Sequence, residues 1–440
     1  MDPNKKINII QRYLKQYNIE QIFDQGFKYW KYFCIRFDYS LSDYRNRRIL
    51  ILNQSIRNAL FISTIGWCII ISLTYASIKQ ENPLFVSIKS FEKMLSSQRN
   101  DLLVLELVFI FIIIEITWLF LFNDVFEYHC SVSDFFAYRR WTIFETNQLD
   151  KHGRKHLICF YIITNLISSS IHCIAKIGLF SVDIIFTICS LIFYSRDQIT
   201  LIQLINTVPG IIILSLYIDF MIGLLCHSIN FVIFIIEFFK IWLNKLFSLF
   251  NQMNKRIKRR KELMKRMYWN QFHNQYIKLF AKIGYFNHTV STLLLCIEFI
   301  SKSAIMMSCI YYSRQEKMGV HNTTCIICFL SAFFYATSLY VIISGLHSAN
   351  YSYTISILNW LARSQHNRYG LNSNIWNCNV WSYMMIKSNL FTQTMMNNRL
   401  GFYCGQSFFV TRYKCLQLFL LNFSVIIMFY KKIILNYYKN

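Results

Sequence analysis

Apolar residues fall into seven long regions along the chain, and polar, mostly basic segments separate them. A segment inside lipid must be helical, because no water is available there to bind free backbone groups. The second region has 21 residues and would rise about 31 Å as a helix, which matches the hydrocarbon core. The pattern therefore predicts an all-α polytopic membrane protein with seven transmembrane helices. The regions are residues 60–77, 102–122, 157–194, 211–239, 288–312, 325–344 and 408–430.

The third region leaves the number of crossings open, because its 38 residues would reach about 57 Å as one helix. It either projects beyond the bilayer or is broken near residues 176–178. With one crossing and a cytosolic N-terminus, cytosolic segments contain 32 Lys and Arg and outer segments contain 10. A double crossing would turn residues 240–287, with 12 basic residues, to the outside, against the positive-inside rule. We expect seven crossings, a cytosolic N-terminus and an extracellular C-terminus.

This topology divides the chain into membrane segments and long cytosolic helical extensions. In the stretch after the fourth span, apolar residues recur at spacings of three and four, which predicts one packed helical face. These residues are Leu243, Leu246, Phe250, Met253 and Ile257. A solvated extension of the fourth span is the alternative. The expected divisions are 1–58 (cytosolic N-terminal segment), 59–239 (transmembrane helices 1–4), 240–287 (cytosolic anchor segment), 288–346 (transmembrane helices 5 and 6), 347–407 (second cytosolic anchor segment) and 408–440 (pore-type helix 7 and a short outer tail).

Composition indicates the same class of protein. Hydrophobic residues make up 55% of the chain and charged residues 15%, with a mean hydropathy of +0.32. Soluble domains carry about 25% charged residues. The net charge of +24 is interpreted by position, since basic residues of membrane proteins mark cytosolic loops. We therefore expect the lipid bilayer, and no nucleic acid, as a partner.

The chain carries no recognisable enzyme motif. Its 14 cysteines are scattered, and the one CxxC, formed by Cys325 and Cys328, has no second pair to complete a zinc site. His152 and His156 form an HxxxH, but no adjacent His pair is present to build the di-iron boxes of membrane desaturases. We expect no catalytic residue, no metal site and no cofactor.

Charged residues inside the apolar regions are costly in lipid and tend to face a bundle interior or a cavity. Glu106 and Glu115 are nine residues apart, so their side chains point in nearly opposite directions and cannot share one cavity. Glu298 and Lys302 have the i, i+4 spacing of an intrahelical ion pair.

The last apolar region carries a polar stripe. Gln417, Ser424 and Lys431 are seven residues apart, so they line up within about 20° per step on one helical face, flanked by Leu421 and Met428. Such a stripe suits a pore wall built by several copies of one helix. Helix–helix packing, with Lys431 reaching the membrane interface, is the alternative.

A short motif precedes this helix: residues 401–405 read GFYCG, followed by a hydrophilic step, the last helix and a near-immediate C-terminus. This end of the chain resembles the insect gustatory and odorant receptor superfamily, which has an aromatic–small–Cys-Gly element before a helix bearing TYhhhhhQF. With one inserted residue, Ser424 matches the Thr of that signature and residues 426–430 match its five apolar positions. Val425 and Lys431 stand where the family carries Tyr and Gln.

The resemblance implies a gustatory-type receptor of the plasma membrane that acts as a tetrameric ligand-gated cation channel, either homomeric or with related subunits. A small-molecule tastant or odorant would bind among helices 2–6, and the cytosolic segments would form the shared anchor. Asp183 and Asp219 are the candidates for lining the ligand site, with a structural hydrogen bond as the alternative role. The expected pore-lining residues are Gln417, Leu421, Ser424, Met428 and Lys431.

Two other classes of protein stay open at this level. One is a transporter or lipid-handling membrane protein that uses the buried carboxylates, which internal repeats would favour. The other is a G-protein-coupled-type receptor, which an extracellular N-terminus would favour.

Overall fold

The computed structural model of the chain describes residues 54–78, 84–86, 90–91, 100–126, 151–256, 262–313, 320–369, 378–397, 399–422 and 427. These residues are almost entirely helical. The long helices are α1 (Gln54–Ile78), α2 (Asn100–Phe126), α3 (Lys151–Ser195), α4 (Leu201–Arg256), α5 (Glu262–Ser313), α6 (Val320–Tyr369), α7 (Cys378–Asn397) and α8 (residues 412–422). Strands β1 (Tyr403–Cys404) and β2 (Phe408–Phe409) pair antiparallel between α7 and α8.

Five helices in the described part of the chain are long and apolar enough to cross a membrane. Their apolar stretches are Leu60–Ile78, Asp101–Phe120, Lys155–Ser195, Leu201–Cys226 and Val290–Tyr312. The sixth predicted crossing lies inside α6, and the seventh overlaps α8. The prediction of an all-α polytopic membrane fold is confirmed. The orientation of the chain stays a prediction.

The third apolar region forms one continuous helix. α3 has 45 residues, about 68 Å in length, and passes through residues 176–178 without a break. No proline interrupts its hydrogen-bond ladder. The alternative of two spans is therefore wrong for this region, and α3 projects well beyond a hydrocarbon core of about 30 Å.

The fourth helix begins at residue 201, not at 211 as the apolar pattern predicts. The Thr200 backbone N–H donates to Gln203 Oε1 at 2.9 Å, and the Gln203 N–H donates to Thr200 Oγ1 at 3.3 Å. This reciprocal pair is a capping box, which satisfies backbone donors at a helix start. Pro209 consequently lies inside α4.

Two helices continue far past the bilayer. α4 has 56 residues and α5 has 52, and they pass without interruption through residues 239–240 and 287–288, where the sequence suggested segment boundaries. The predicted apolar face is confirmed for Leu243, Leu246 and Phe250, which are all buried. The side chains of Met253 and Ile257 lie outside the described part of the structure. The stretch is therefore an extension of the fourth span, as one interpretation proposed, and it is packed rather than solvated.

An aromatic core joins the extensions of α4, α5, α6 and α7. Trp269 of α5 stacks on Trp360 of α6 with ring centroids 5.5 Å apart. Phe250 of α4 and Phe391 of α7 meet the same indole edge-on, at 6.4 and 5.9 Å. Large aromatic rings bury much area and prefer these offset and edge-to-face geometries, so this core fixes the four extensions to one another.

The membrane portion presents an apolar outer surface. On α3, Ile174 and Phe180 are 70% and 67% exposed. Inside the bundle, Ile70 of α1, Phe111 of α2 and Met221 of α4 are buried in one cluster. Exposed aliphatic side chains of this extent suit contact with lipid tails.

The last helix begins at residue 412, not at 408 as predicted. Phe408 and Phe409 form β2, because the tight turn at Gly405, whose φ is +54°, returns the chain onto β1. The helix then starts behind Thr411, whose Oγ1 accepts the Lys414 backbone N–H at 3.1 Å. That contact is an N-cap, which satisfies one free donor of the first turn.

Candidate functional site

The candidate ligand residues Asp183 and Asp219 both lie between α3 and α4. Asp219 Oδ1 is 2.9 Å from His172 Nε2, and Asp219 Oδ2 is 3.4 Å from Lys176 Nζ. Ser215 donates a hydrogen bond to Asp183 Oδ1. We call these five residues the α3–α4 seam. Their spacing on each helix places them on one face, so the seam is continuous along the interface.

The seam neutralises charge in a region that lipid surrounds. A carboxylate with a cation and an imidazole beside it costs far less to bury than an unpaired one. The Asp219 side chain is still 23% exposed, so its two contacts do not cover it completely. The i, i+4 spacing of His172 and Lys176 is a signal in the sequence that both side chains lie on one face of α3.

The two carboxylates of α2 face different neighbours, as their nine-residue separation predicts. Glu115 is 0% exposed and accepts hydrogen bonds from Ser63 of α1 at 2.6 Å and from Tyr217 of α4 at 2.8 Å. Glu106 is buried near Ser303 of α5, and its Oε1 has no hydrogen-bond partner among the described residues. Glu115 therefore joins three helices, whereas Glu106 retains a free acceptor.

The intrahelical pair predicted on α5 is confirmed. Lys302 Nζ lies 2.8 Å from Glu298 Oε1. One turn earlier, the Leu294 carbonyl accepts a hydrogen bond from the Tyr340 hydroxyl of α6 at 3.1 Å. The Tyr340 oxygen also lies 3.5 Å from Cys404 Sγ of β1. The middle of α5 is thereby connected to the hairpin.

The hairpin docks on α5 through its own backbone. The Gly405 N–H donates to the Ser291 carbonyl at 2.9 Å, and the Tyr403 N–H donates to Asn287 Oδ1 at 2.8 Å. At the start of α8, Cys415 is buried and its thiol lies 3.5 Å from the Tyr340 carbonyl. Residues 401–405, which carry the sequence motif, therefore bind to α5 and lie between α7 and the last helix.

Of the expected pore residues, Gln417 and Leu421 lie in the described part of α8, and both are exposed. Leu421 is 56% exposed, and Gln417 accepts a hydrogen bond from Lys414 Nζ at 3.0 Å. Phe419 faces the opposite way and stacks on Phe333 of α6 at 6.1 Å. The other three expected pore residues lie outside the described residues: Ser424, Met428 and Lys431.

Among the described residues, two cavities are lined by a histidine together with a Lys or Arg side chain. One, of about 310 Å³, lies between α5 and α7 and is lined by His273 and Lys387 among apolar side chains. Burial and the nearby Lys387 charge lower the pKa of His273. The other, of about 570 Å³, lies beside the hairpin and is lined by His347 and Arg399. Burial also lowers the pKa of His347.

Within the described residues, no group of three or more His, Cys, Asp or Glu side chains lies close enough to hold a metal ion. The arrangement is instead one of paired charges between helices, an unpaired buried carboxylate oxygen, and an exposed helix face. These are features of a membrane protein with polar contacts between its helices, and one face of α8 is exposed within residues 412–422.

Comparison with known proteins finds a similar fold among solved structures but no similar sequence. No protein-family model matches the sequence, and no curated protein matches it. Among solved structures, the fold matches that of the insect olfactory receptor OR5 from Machilis hrabei, with a TM-score of 0.55. The match covers 87% of this chain and 90% of that chain at 10% sequence identity. The chain therefore shares the fold of an insect olfactory receptor.

Proposed function

We propose that this chain is a chemosensory receptor of the gustatory type that acts as a ligand-gated cation channel in the plasma membrane. The observation that carries the proposal is the fold match to an insect olfactory receptor over 87% of the chain. The motif at residues 401–405 supports it from the sequence, and this segment binds to α5 between α7 and the last helix.

A small-molecule tastant or odorant would bind among α2–α6, in the outer half of the bundle. Asp183 and Asp219 remain the candidates for lining this site, and the partial exposure of Asp219 supports that role. Their contacts with Ser215 and His172 support the alternative, structural role equally. Glu106 is a further candidate, because a ligand hydroxyl or amine could donate to its free Oε1.

The channel would be a tetramer, homomeric or with related subunits. Residues 240–287 and 347–407 would supply the shared anchor, and four copies of the last helix would surround the pore. Gln417 and Leu421 support this arrangement, because both are exposed in the single chain. Other copies of the helix would cover the apolar Leu421, and the polar Gln417 would face the pore.

The experiment that tests this function begins with topology. Epitope tags at the two termini, stained in intact and then in permeabilised cells, should show a cytosolic N-terminus and an extracellular C-terminus. An extracellular N-terminus would favour a G-protein-coupled-type receptor and contradict the proposal. In cells that respond to a ligand, Asp183→Asn and Asp219→Asn should weaken the response at unchanged surface expression if these residues line the site.

A further inference from the structure

The cavity beside the hairpin is basic and hydroxyl-rich. It has a volume of about 570 Å³ and lies where α6, the end of α7, the hairpin and the start of α8 meet. Its polar lining consists of His347, Tyr351, Arg399, Ser407, Thr411, Tyr413 and Lys414. A cavity of this size can admit a small polar group together with the waters around it.

Two positively charged side chains line this cavity, Arg399 and Lys414, and neither has a carboxylate partner among the described residues. The Arg399 guanidinium lies over the Phe409 ring, 5.8 Å from the centroid, and Lys414 Nζ donates to the neutral Gln417 amide. His347 packs edge-on against the same Phe409 ring. The lining therefore offers several donors and little negative charge.

The sequence explains why no local carboxylate neutralises this cavity. After Glu316 the chain contains no Asp or Glu in its last 124 residues, but it contains ten Lys and Arg. α6 from residue 320 onward, α7, the hairpin and α8 all belong to this stretch. Any negative charge beside Arg399 and Lys414 must consequently come from another element or from another molecule.

The start of α8 adds to the positive potential. Free backbone N–H groups give a helix N-terminus a partial positive charge, so acidic residues or anions are favourable there. The first turn of α8 instead carries Arg412 and Lys414 directly behind its Thr411 cap. Cations at this end of a helix are unfavourable unless an anion accompanies them.

We infer that this cavity binds a phosphate group, carried either by an anionic phospholipid headgroup or by free phosphate. Arg399 and Lys414 would supply the charge, and the Ser407, Thr411 and Tyr351 hydroxyls would donate to its oxygens. The cavity lies at the predicted inner boundary of the bilayer, where α6 leaves the membrane and the last helix enters it. This inference stands whether or not the chain conducts ions.

The test uses the purified full-length protein in a neutral detergent, and the readout is its melting temperature during ligand titration. The probes are short-chain phosphatidylinositol bisphosphate, inorganic phosphate and short-chain phosphatidylcholine. The charged lipid should raise the melting temperature in a saturable way, and phosphatidylcholine should not. An equal effect of inorganic phosphate would assign free phosphate as the ligand, whereas an effect of the lipid alone would assign the headgroup.

Variants decide whether this cavity is the site. R399Q/K414Q should shift half-saturation by about tenfold or more, because two charge-assisted contacts are lost. K278Q/R363Q removes the same charge from two exposed positions outside the cavity and should leave half-saturation unchanged. If the first double variant does not fold, R399Q alone keeps α8 intact and should still weaken binding. No shift with either phosphate probe, or equal weakening in K278Q/R363Q, would overturn the inference.

Discussion

Glu115 illustrates how partners decide whether a charged residue is tolerated within lipid. Its carboxylate accepts from a serine on α1 and a tyrosine on α4, so one residue holds three helices together. The close approach depends on Gly66 of α1, because a Cβ there would lie 2.8 Å from Glu115 Oε1. A glycine that looks unremarkable in the sequence is thus required by a contact on other helices.

Gly66→Ala should therefore destabilise the protein by about 1–3 kcal/mol, since overpacking of this contact forces the Tyr217 and Glu115 side chains apart. Thermal melting of the purified protein measures the effect. Gly178→Ala is the matched control, because nothing lies within 4 Å of a Cβ at that position. The control should be neutral or slightly stabilising through helix propensity. Equal melting temperatures for the two variants would contradict this account.

His273 should make the packing of α5 against α7 sensitive to acid. Burial and then the Lys387 charge lower the pKa of His273 below the value of 6.5 expected for an unfolded chain. The unfolded state therefore binds a proton more readily than the folded state does. The contribution of neutral His273 to the free energy of unfolding is complete above about pH 6.5 and is lost as pH falls through the folded pKa. The melting temperature of the wild-type protein should decrease from pH 7.5 to 5.5.

His273→Gln should make that decrease shallower, and melting curves across this range measure it. His347, whose pKa burial also lowers, contributes in the same direction, so His347→Gln should flatten the profile further when both are combined. An unchanged pH profile in the double variant would show that other groups control acid stability.

At the scale of elements, helix length exceeds what a bilayer requires, and the extra turns pack against one another. A span needs about 20 residues, whereas α4 and α5 have 56 and 52. Their surplus turns bury aromatic side chains of four helices in one core. The hairpin then joins this core to α8, and its geometry depends on a single left-handed residue, Gly405.

Gly405→Ala should destabilise the hairpin for two reasons. Its φ of +54° is unfavourable for alanine by about 1–2 kcal/mol, and a Cβ would lie 2.9 Å from Leu295 Cδ2. The melting temperature and the surface expression should both decrease. Gly284→Ala is the control, because Gly284 lies on the same helix as Leu295 and nothing lies within 4 Å of a Cβ at that position. This variant should keep both the melting temperature and the surface expression of the wild-type protein. A harmless Gly405→Ala would mean that the hairpin does not need this turn.

At the scale of the whole molecule, the exposed face of α8 needs an occupant, and the proposed tetramer supplies three other copies. Cysteines placed at Ser424 and Met428 should react with a water-soluble thiol reagent and block the cation current, whereas one at Asn422, off the stripe, should not. Current recorded before and after the reagent measures this. Equal reactivity at all three positions, or none at Ser424 in a conducting channel, would remove this face from the pore.

Lys431 tests the same assembly through charge. Four ammonium groups at an outer pore mouth would repel cations, each contributing about 1 kcal/mol at separations filled with water. Lys431→Gln should therefore raise the cation conductance, most clearly at low salt where screening is weak. Lys432→Gln makes the same change at the neighbouring position and should have a smaller effect. An unchanged conductance would place Lys431 at the lipid headgroups.

The sequence by itself determined the class of fold, because apolar stretches about as long as a bilayer is thick have few alternatives to helices in lipid. It also determined the Glu298–Lys302 pair and the apolar face at Leu243 and Phe250, since both follow from helical periodicity alone. The start of α4 was missed, although the capping residues Thr200 and Gln203 are local and visible in the sequence.

Only the tertiary structure decided which residues meet across helices. The α3–α4 seam, the three-helix contact of Glu115 and the basic cavity at Arg399 each combine side chains from separate elements. Periodicity specifies the face of a helix on which a residue lies, but not the neighbour that covers that face. The strand at Phe408–Phe409 was missed for the same reason: its apolar residues suit a helix locally, and the turn at Gly405 and the docking on α5 override that preference.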